Sequence, residues 1–394
     1  MPIPSDLRLP RPTRREMLRG GALLGLTGVA GCASRPGGAD FAPVGRLLDE
    51  AVARGDVPGV VAAVGHDGRV VYRGVYGHRA LLPVPEPQSW TTRFDMASLT
   101  KPTMTALAAM QLWEQGAFAL DEPVARRLPA FAAAGKEGIT IRHLLTHYSG
   151  LPPDLELSTP WQGKDEAVRR VMDTRPDRPA GERFVYSDIN FITLGLLVET
   201  LSGQPLDRYA AQHILAPLGM VHSGFRPDAG LIPQIAPTQF DENHAILRGV
   251  VHDPTARRMG GVAGHAGLFS DADDMVLYAQ ALLDRRAGRP SAFPLKRETL
   301  VLMTTPQQPA GRTDLRGLGW DIATHYSTPR GDLFPVGSFG HTGFTGTSLW
   351  MDPVSDSFVL ILTNRVHPDG SHGRQTVQLR HDVATAAARA LGIA

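Results

Sequence analysis

Strand-forming runs sit at the two ends of this 394-residue chain, with a long stretch between them that shows none. Near the N-terminus, residues 60–66 and 69–76 are mostly apolar and are separated by Asp67-Gly68, a pair that supplies the positive φ angles of a tight hairpin turn. Near the C-terminus, residues 319–324, 349–352 and 358–364 have the same strand-like character. Between about 121 and 267 the pattern is helical and broken by Pro and Gly clusters; residues 187–201, ended by Gly203, are one such helix. Strands at both ends and helices between them predict one antiparallel sheet assembled from N- and C-terminal segments. The expected fold class is therefore α+β: a sheet flanked by helices, formed by residues 41–115 and 271–394, with a mostly helical part at 116–270. An amphipathic first helix carrying Val44, Leu47, Leu48, Ala51 and Val52, and helices over 271–283 and 375–391, would cover the sheet. The seam between sheet and insertion is the natural place for a cleft.

An apolar content of 42% over this length is enough for a large core. The first 31 residues are of another kind. Thr13-Arg14-Arg15-Glu16-Met17-Leu18-Arg19 precedes an apolar run over 22–30 that ends in Val29-Ala30-Gly31-Cys32. Twin arginines before a short apolar stretch read as an export signal of the twin-arginine type. The run falls short of the roughly 20 residues that a bilayer-spanning helix needs. Cys32 is the single cysteine, so no internal disulfide can form. Residues 32–40, with Pro36-Gly37-Gly38, read as a tether. The formal net charge is +1, and removal of residues 1–31 leaves the remainder slightly acidic. With no lysine-rich run, nothing in the charge pattern argues for nucleic-acid binding.

Ser98-Leu99-Thr100-Lys101 is the first of three short strings that carry chemistry. A serine and a lysine at i, i+3 share a helix face, and a lysine so placed can take the proton of an attacking hydroxyl. The chain has four lysines, at 101, 136, 164 and 296, so the match has few chances to arise by accident. Pro102 fixes the start of a helix over about 98–115, which puts Ser98 at its positive end, where a protonated Lys101 is disfavoured. The other strings are Tyr186-Ser187-Asp188 and His341-Thr342-Gly343. His143 and His147 have i, i+4 spacing, but Leu144-Leu145 stands where a zincin carries its glutamate, so no metal site or cofactor is expected.

In order and spacing, these strings resemble the SxxK, Tyr-x-Asn and Lys-Thr-Gly motifs of the penicillin-recognising serine hydrolases, which include class C β-lactamases, DD-peptidases and related esterases. Val57-Pro58-Gly59, the segments 141–152 and 181–187, and the glycine-rich 260–270 extend the resemblance over most of the chain. Segments 260–270 and 339–346, with Asn364-Arg365-Val366-His367-Pro368, are similar to a branch containing DD-carboxypeptidase-like proteins and exo-acting N-acetylmuramoyl-L-alanine amidases. The resemblance implies a β-lactamase/transpeptidase-like fold and a covalent acyl-enzyme on Ser98, with Lys101 as its neighbouring base and Tyr186 as a proton shuttle. Which of Lys101 and Tyr186 takes the first proton stays open. The backbone N–H groups of Ser98 and Phe344 would hold the oxyanion. Thr342 and Gly343 would line the substrate, with Gly343 allowing close approach. His265 and Arg365, or His367, would contribute further contacts.

Two positions depart from the pattern. Asp188 stands for the usual Asn, where a carboxylate would repel an anion and hold an amine or a sugar hydroxyl. His341 stands for the usual Lys, making a permanent charge conditional on pH. Both weaken the case for an efficient β-lactamase and favour a peptidoglycan-derived peptide. The alternatives are a small-ester esterase or weak β-lactamase, and a non-catalytic binding lipoprotein. Val29-Ala30-Gly31-Cys32 resembles a bacterial lipobox, which implies lipid attachment at Cys32 and a membrane-anchored, exported protein. Oligomeric state cannot be read from the sequence.

Overall fold

The computed structural model describes residues 39–394, so the twin-arginine segment and Cys32 lie outside the described residues. Strands β1 (Gly59–His66) and β2 (Arg69–Ala80) form the expected hairpin. Asp67 and Gly68 at its tip both have positive φ, 48° and 75°, as the twist of a two-residue turn requires. After the two-residue strands β3 (Glu86–Pro87), β4 (Phe94–Asp95) and β5 (Gly224–Phe225) comes β6 (Leu268–Ser270). The C-terminal part then adds β7 (Leu315–Arg316), β8 (Asp321–Ala323), β9 (Phe339–Thr342), β10 (Ser348–Asp352) and β11 (Ser357–Thr363).

The main sheet has eight antiparallel strands in the order β3-β2-β1-β11-β10-β9-β8-β7. Its two halves meet where β1 pairs with β11, from Val60 opposite Thr363 to His66 opposite Ser357. Seven of the eight β1 residues are buried, because the sheet is covered on both faces. Val60, Ala62 and Val64 pack against α1 (Ala42–Ala53) and the C-terminal helix Gly373–Ala390. Val61 and Ala63 face the larger core, shared with the helix Ala272–Ala287 and the helical part.

That helical part contains α3 (Ile141–Thr146), α4 (Lys164–Asp173) and α5 (Asp188–Ser202), following α2 (Leu107–Glu114). The second, three-stranded sheet β4-β6-β5 was not foreseen. Its strands are two or three residues long, too short to show a period of two. It brings Met96 N–H to the carbonyl of Leu268 at 2.8 Å and so ties the chain before Ser98 to the insertion.

Candidate active site

Ser98 lies in a tight 3-10 turn, Ala97–Leu99, that opens into a π-helical turn, Lys101–Ala106, before regular α2 begins. Pro102 lacks the N–H that an early helical bond would use, and the wider turn accommodates it. Ala97 holds φ at +46°, a region costly for any residue with a Cβ. Several bonds impose it. Buried Asp95 accepts from Ala97 N–H at 2.9 Å and from His252 N–H at 2.7 Å, while Thr345 and Thr347 donate to the carbonyls of Asp95 and Met96 at 2.8 and 3.1 Å. A Cβ at Gly343 would run into Thr347 Oγ1 and lie 2.6 Å from the Met96 carbonyl. Gly343 thus lets β9 close onto the nucleophile turn, beside its place in the cleft wall.

Lys101 is fully buried, and its Nζ reaches three acceptors: Ser98 Oγ at 2.8 Å, the His265 carbonyl at 3.0 Å and Asp188 Oδ1 at 2.6 Å. Burial by itself would favour the neutral amine. Asp188, with a further contribution from Tyr186, outweighs burial and leaves the Lys101 pKa above its ordinary value. This corrects the expectation of a lysine with its proton displaced: a carboxylate in contact outweighs the helix end. It also corrects Asp188, which is engaged by Lys101 rather than turned toward a substrate amine or hydroxyl.

Tyr186 completes the group. Its ring lies 4.9 Å from Lys101 Nζ and stacks on His147, centroids 4.5 Å apart. Its hydroxyl is buried, and burial raises its pKa although Lys101 and Ser98 pull the other way, so the phenol is neutral at rest. His147 Nδ1 accepts from Ser187 N–H at 3.1 Å, which fixes the ring that carries Tyr186.

Ser98, Tyr186, His341, Thr342, Gly343, Phe344 and Arg365 line one cavity of about 440 Å³. His341 is 4% exposed, and burial, reinforced by the fields of Arg316, Lys101 and Arg380, holds its pKa well below the ordinary value. With Nδ1 2.9 Å from the Thr342 carbonyl, it is a neutral ring with Nδ1–H donating. The expected pH-conditional charge is therefore absent near neutrality. His265 is also corrected as a substrate contact: its side chain is fully buried against Asp253, Nε2 to Oδ1 2.8 Å, and its carbonyl serves Lys101. His367 is structural, bridging the Thr238 carbonyl at 2.8 Å and Leu81 N–H at 3.0 Å. Arg365 does reach the cavity, its guanidinium 4.6 Å over the Phe344 ring.

Sequence reasoning missed Arg316, Asp321, Tyr326 and Arg380 in the same cavity. A signal existed for Arg380, which shares the apolar face of its helix with Thr376, Val383 and Ala387.

Comparison with known proteins agrees with this geometry. A family model described as Beta-lactamase matches residues 44–383. The chain is 32% identical over 364 residues to the N-acetylmuramyl-L-alanine amidase of Bacillus subtilis (strain 168), covering 82% of this chain and 80% of that protein. It is 32% identical over 346 residues to an Escherichia coli (strain K12) protein provisionally named D-alanyl-D-alanine carboxypeptidase, covering 79% of each. Among solved structures it is similar to EstCE1, a hydrolase with promiscuous acyltransferase activity, at TM-score 0.69 and 25% identity, covering 87% of this chain and 97% of that one. A class C β-lactamase shares the fold at TM-score 0.70 and 19% identity, covering 88% and 95%. A family match that runs from α1 into the C-terminal helix, and relatives matched over most of their own length, place this chain in the β-lactamase family, as a serine hydrolase of the β-lactamase/DD-peptidase type.

Proposed function

We propose that this hydrolase acts on peptidoglycan-derived peptides through an acyl-enzyme on Ser98, as a D-alanyl-D-alanine carboxypeptidase or a muramoyl-L-alanine amidase. The observation that carries the mechanism is the contact of Lys101 Nζ with Ser98 Oγ and Asp188 at the edge of the cavity. Lys101 enters as an ammonium. It holds Ser98 Oγ through one N–H and stabilises the negative charge that grows there. Tyr186, neutral and buried, takes the serine proton as it gives its own to the amide nitrogen, so that Oγ adds to the carbonyl carbon and the tetrahedral oxyanion then collapses with cleavage of the C–N bond and loss of the amine. Water then attacks the acyl carbon and gives a proton to Tyr186 as Tyr186 gives its own to Ser98 Oγ, and the acyl–Oγ bond breaks to release the acid. The N–H groups of Ser98 and Phe344 hold the oxyanion.

The names of the two relatives support peptidoglycan peptides as the substrate class. The likeness to EstCE1 favours, as a second reading, hydrolysis of small acyl esters. Mass spectrometry of defined muropeptides, with and without an attached N-acetylmuramic acid, separates these readings. Loss of a terminal D-alanine with the intact enzyme and not with Ser98→Ala is the carboxypeptidase result, and release of the whole peptide from the sugar is the amidase result. Unchanged muropeptides alongside turnover of small esters would replace the proposal with the esterase.

The export segment and Cys32 support an exported lipoprotein held at a bacterial membrane. Among the described residues, no helix is long and apolar enough to cross a membrane. Cys32→Ser is expected to release the protein from the membrane fraction with unchanged activity in detergent; continued membrane fractionation would contradict the anchor.

A further inference from the structure

Asp95 ends β4 buried, 2% exposed, and both of its carboxylate oxygens are taken by backbone N–H groups rather than by a cation. A buried carboxylate without a cation is costly to keep ionised, and burial pushes the Asp95 pKa up to about 6 although the two N–H bonds favour the charged form. The group is still ionised at neutral pH, yet no step of the acyl transfer uses it.

Oδ1 closes an Asx turn on Ala97 N–H at 2.9 Å. Ala97 is the residue forced to a φ of +46°, and the peptide that leaves it carries the Ser98 N–H. Oδ2 accepts from His252 N–H at 2.7 Å. The His252 ring, which burial holds neutral with its pKa pushed down to about 4, stacks on Phe344 with centroids 5.5 Å and planes 24° apart. Phe344 is 60% exposed, so its side chain is held by this stack and by Arg365, 4.6 Å over the ring, and not by a core. Thr345 Oγ1, one residue on, donates to the Asp95 carbonyl at 2.8 Å. One carboxylate thus reaches both oxyanion donors, Ser98 N–H through Ala97 and Phe344 N–H through His252. A protonated carboxyl cannot hold them equally: one oxygen becomes an O–H donor facing an N–H, and the other loses the strength that charge gave its bond. Ala97 is then free to leave a conformation that is costly for a residue with a Cβ.

Resting on the acyl-enzyme reading above, with Ser98 and Phe344 N–H as the oxyanion donors, we propose that Asp95 is the positioning residue of the oxyanion hole, its ionised carboxylate holding the two donors in register. The sign follows: the hole is set above the Asp95 pKa and slackens as pH falls through it, so hydrolysis loses rate toward acid pH although Asp95 does not touch substrate. The charged groups that act on Asp95 are Asp253, which raises its pKa, and Arg257, which lowers it. Burial would raise Asp253 too, but His265 outweighs burial and keeps it below the ordinary carboxylate value. Strand β6 and the 343–347 turn face Asp95 with neutral groups. Asp154, which burial pushes up to about 6, titrates in the same range, but it lies against Thr255 Oγ1 at 3.1 Å and not against the nucleophile turn.

The test measures kcat/KM for p-nitrophenyl acetate from pH 5 to 8 in wild type, Asp95→Asn and Asp154→Asn, with near-UV circular dichroism at each pH to show that the proteins stay folded. Wild type is expected to lose about tenfold between pH 8 and pH 5, as one group with a pKa of about 6 requires. Asp95→Asn is expected to be flat over this range and about 10- to 100-fold below wild type at pH 8, the scale of a displaced oxyanion donor. Asp154→Asn should keep the wild-type fall. A merely structural role for Asp95 would lower the rate at every pH and leave the fall in place, which would overturn the proposal, as would a flat wild type or a fall abolished in Asp154→Asn. Should Asp95→Asn fail to fold, the wild type decides through the thionocarbonyl analogue of the ester, whose sulfur fits the hole poorly. The ratio of kcat/KM for the oxygen ester to that for the sulfur ester should shrink as pH falls from 8 to 5, and a constant ratio overturns the assignment. Acylation of Ser98 together with an unchanged acid fall in Asp95→Asn would refute this inference alone, whereas no acylation of Ser98 in wild type would refute the acyl-enzyme reading beneath it.

Discussion

Ser98→Ala is expected to lower turnover of every acyl substrate by about 10⁴-fold or more, while the thermal unfolding midpoint stays close to that of the wild type. A loss of that size corresponds to roughly 5.5 kcal/mol of transition-state stabilisation. It is expected because the chemistry forms a bond to Oγ, which Tyr186 and Lys101 cannot supply. Stability is expected to hold because the part-exposed side chain gives up one hydrogen bond, that from Lys101, whose ammonium keeps Asp188 and the His265 carbonyl. The bonds that fix the strained Ala97 come from Asp95, Thr345 and Thr347 and are untouched. Steady-state kinetics and a melting curve check both halves. Residual activity above a few per cent would remove Ser98 from the mechanism.

Asp188→Asn should expose the charge state on which catalysis depends. Burial pushes the Lys101 pKa down and the Asp188 carboxylate, 2.6 Å away, pushes it up further. Removing the carboxylate charge leaves burial in control, so the pKa falls. The sign follows directly: if the ammonium is the active form, activity is present below the Lys101 pKa and lost as pH rises through it. The alkaline limb of the kcat/KM profile is thus expected to move down by about 2 pH units or more in Asp188→Asn, so that the rate of the variant relative to the wild type falls as pH rises above 9. If a neutral Lys101 were the base, the same substitution would increase the active form, and the rate at pH 9 would rise. The profile of kcat/KM against pH for the two proteins therefore separates the two assignments.

Much of this was legible in the sequence because it is local. Asp67-Gly68 specifies a hairpin turn by its own backbone preferences, and Gly203 marks the end of α5 in the left-handed conformation. The i, i+3 spacing of Ser98 and Lys101 places both side chains together whatever surrounds them. What stayed hidden depends on partners distant in sequence. Asp188 is 87 positions from Lys101, and the meaning of a carboxylate there changes from substrate contact to counter-ion once α5 packs beside the nucleophile turn. His265 was noticed for its glycine-rich setting, yet its partner is Asp253 and its contribution to the site is a carbonyl. Arg316 lies just ahead of the strand-like run 319–324, and its burial on the cavity wall beside Asp321 is a property of the fold. Charge state follows burial and neighbours, which is why His341 could be located but not assigned a neutral ring.

Peptide-mapped mass spectrometry of the enzyme, quenched in acid during turnover of a p-nitrophenyl acyl ester, asks whether the reaction passes through Ser98. A mass gain equal to the acyl group on the peptide that carries Ser98, absent in Ser98→Ala, is the expected result. Ester hydrolysis with the adduct on another residue, or sustained turnover of Ser98→Ala, would contradict the acyl-enzyme mechanism.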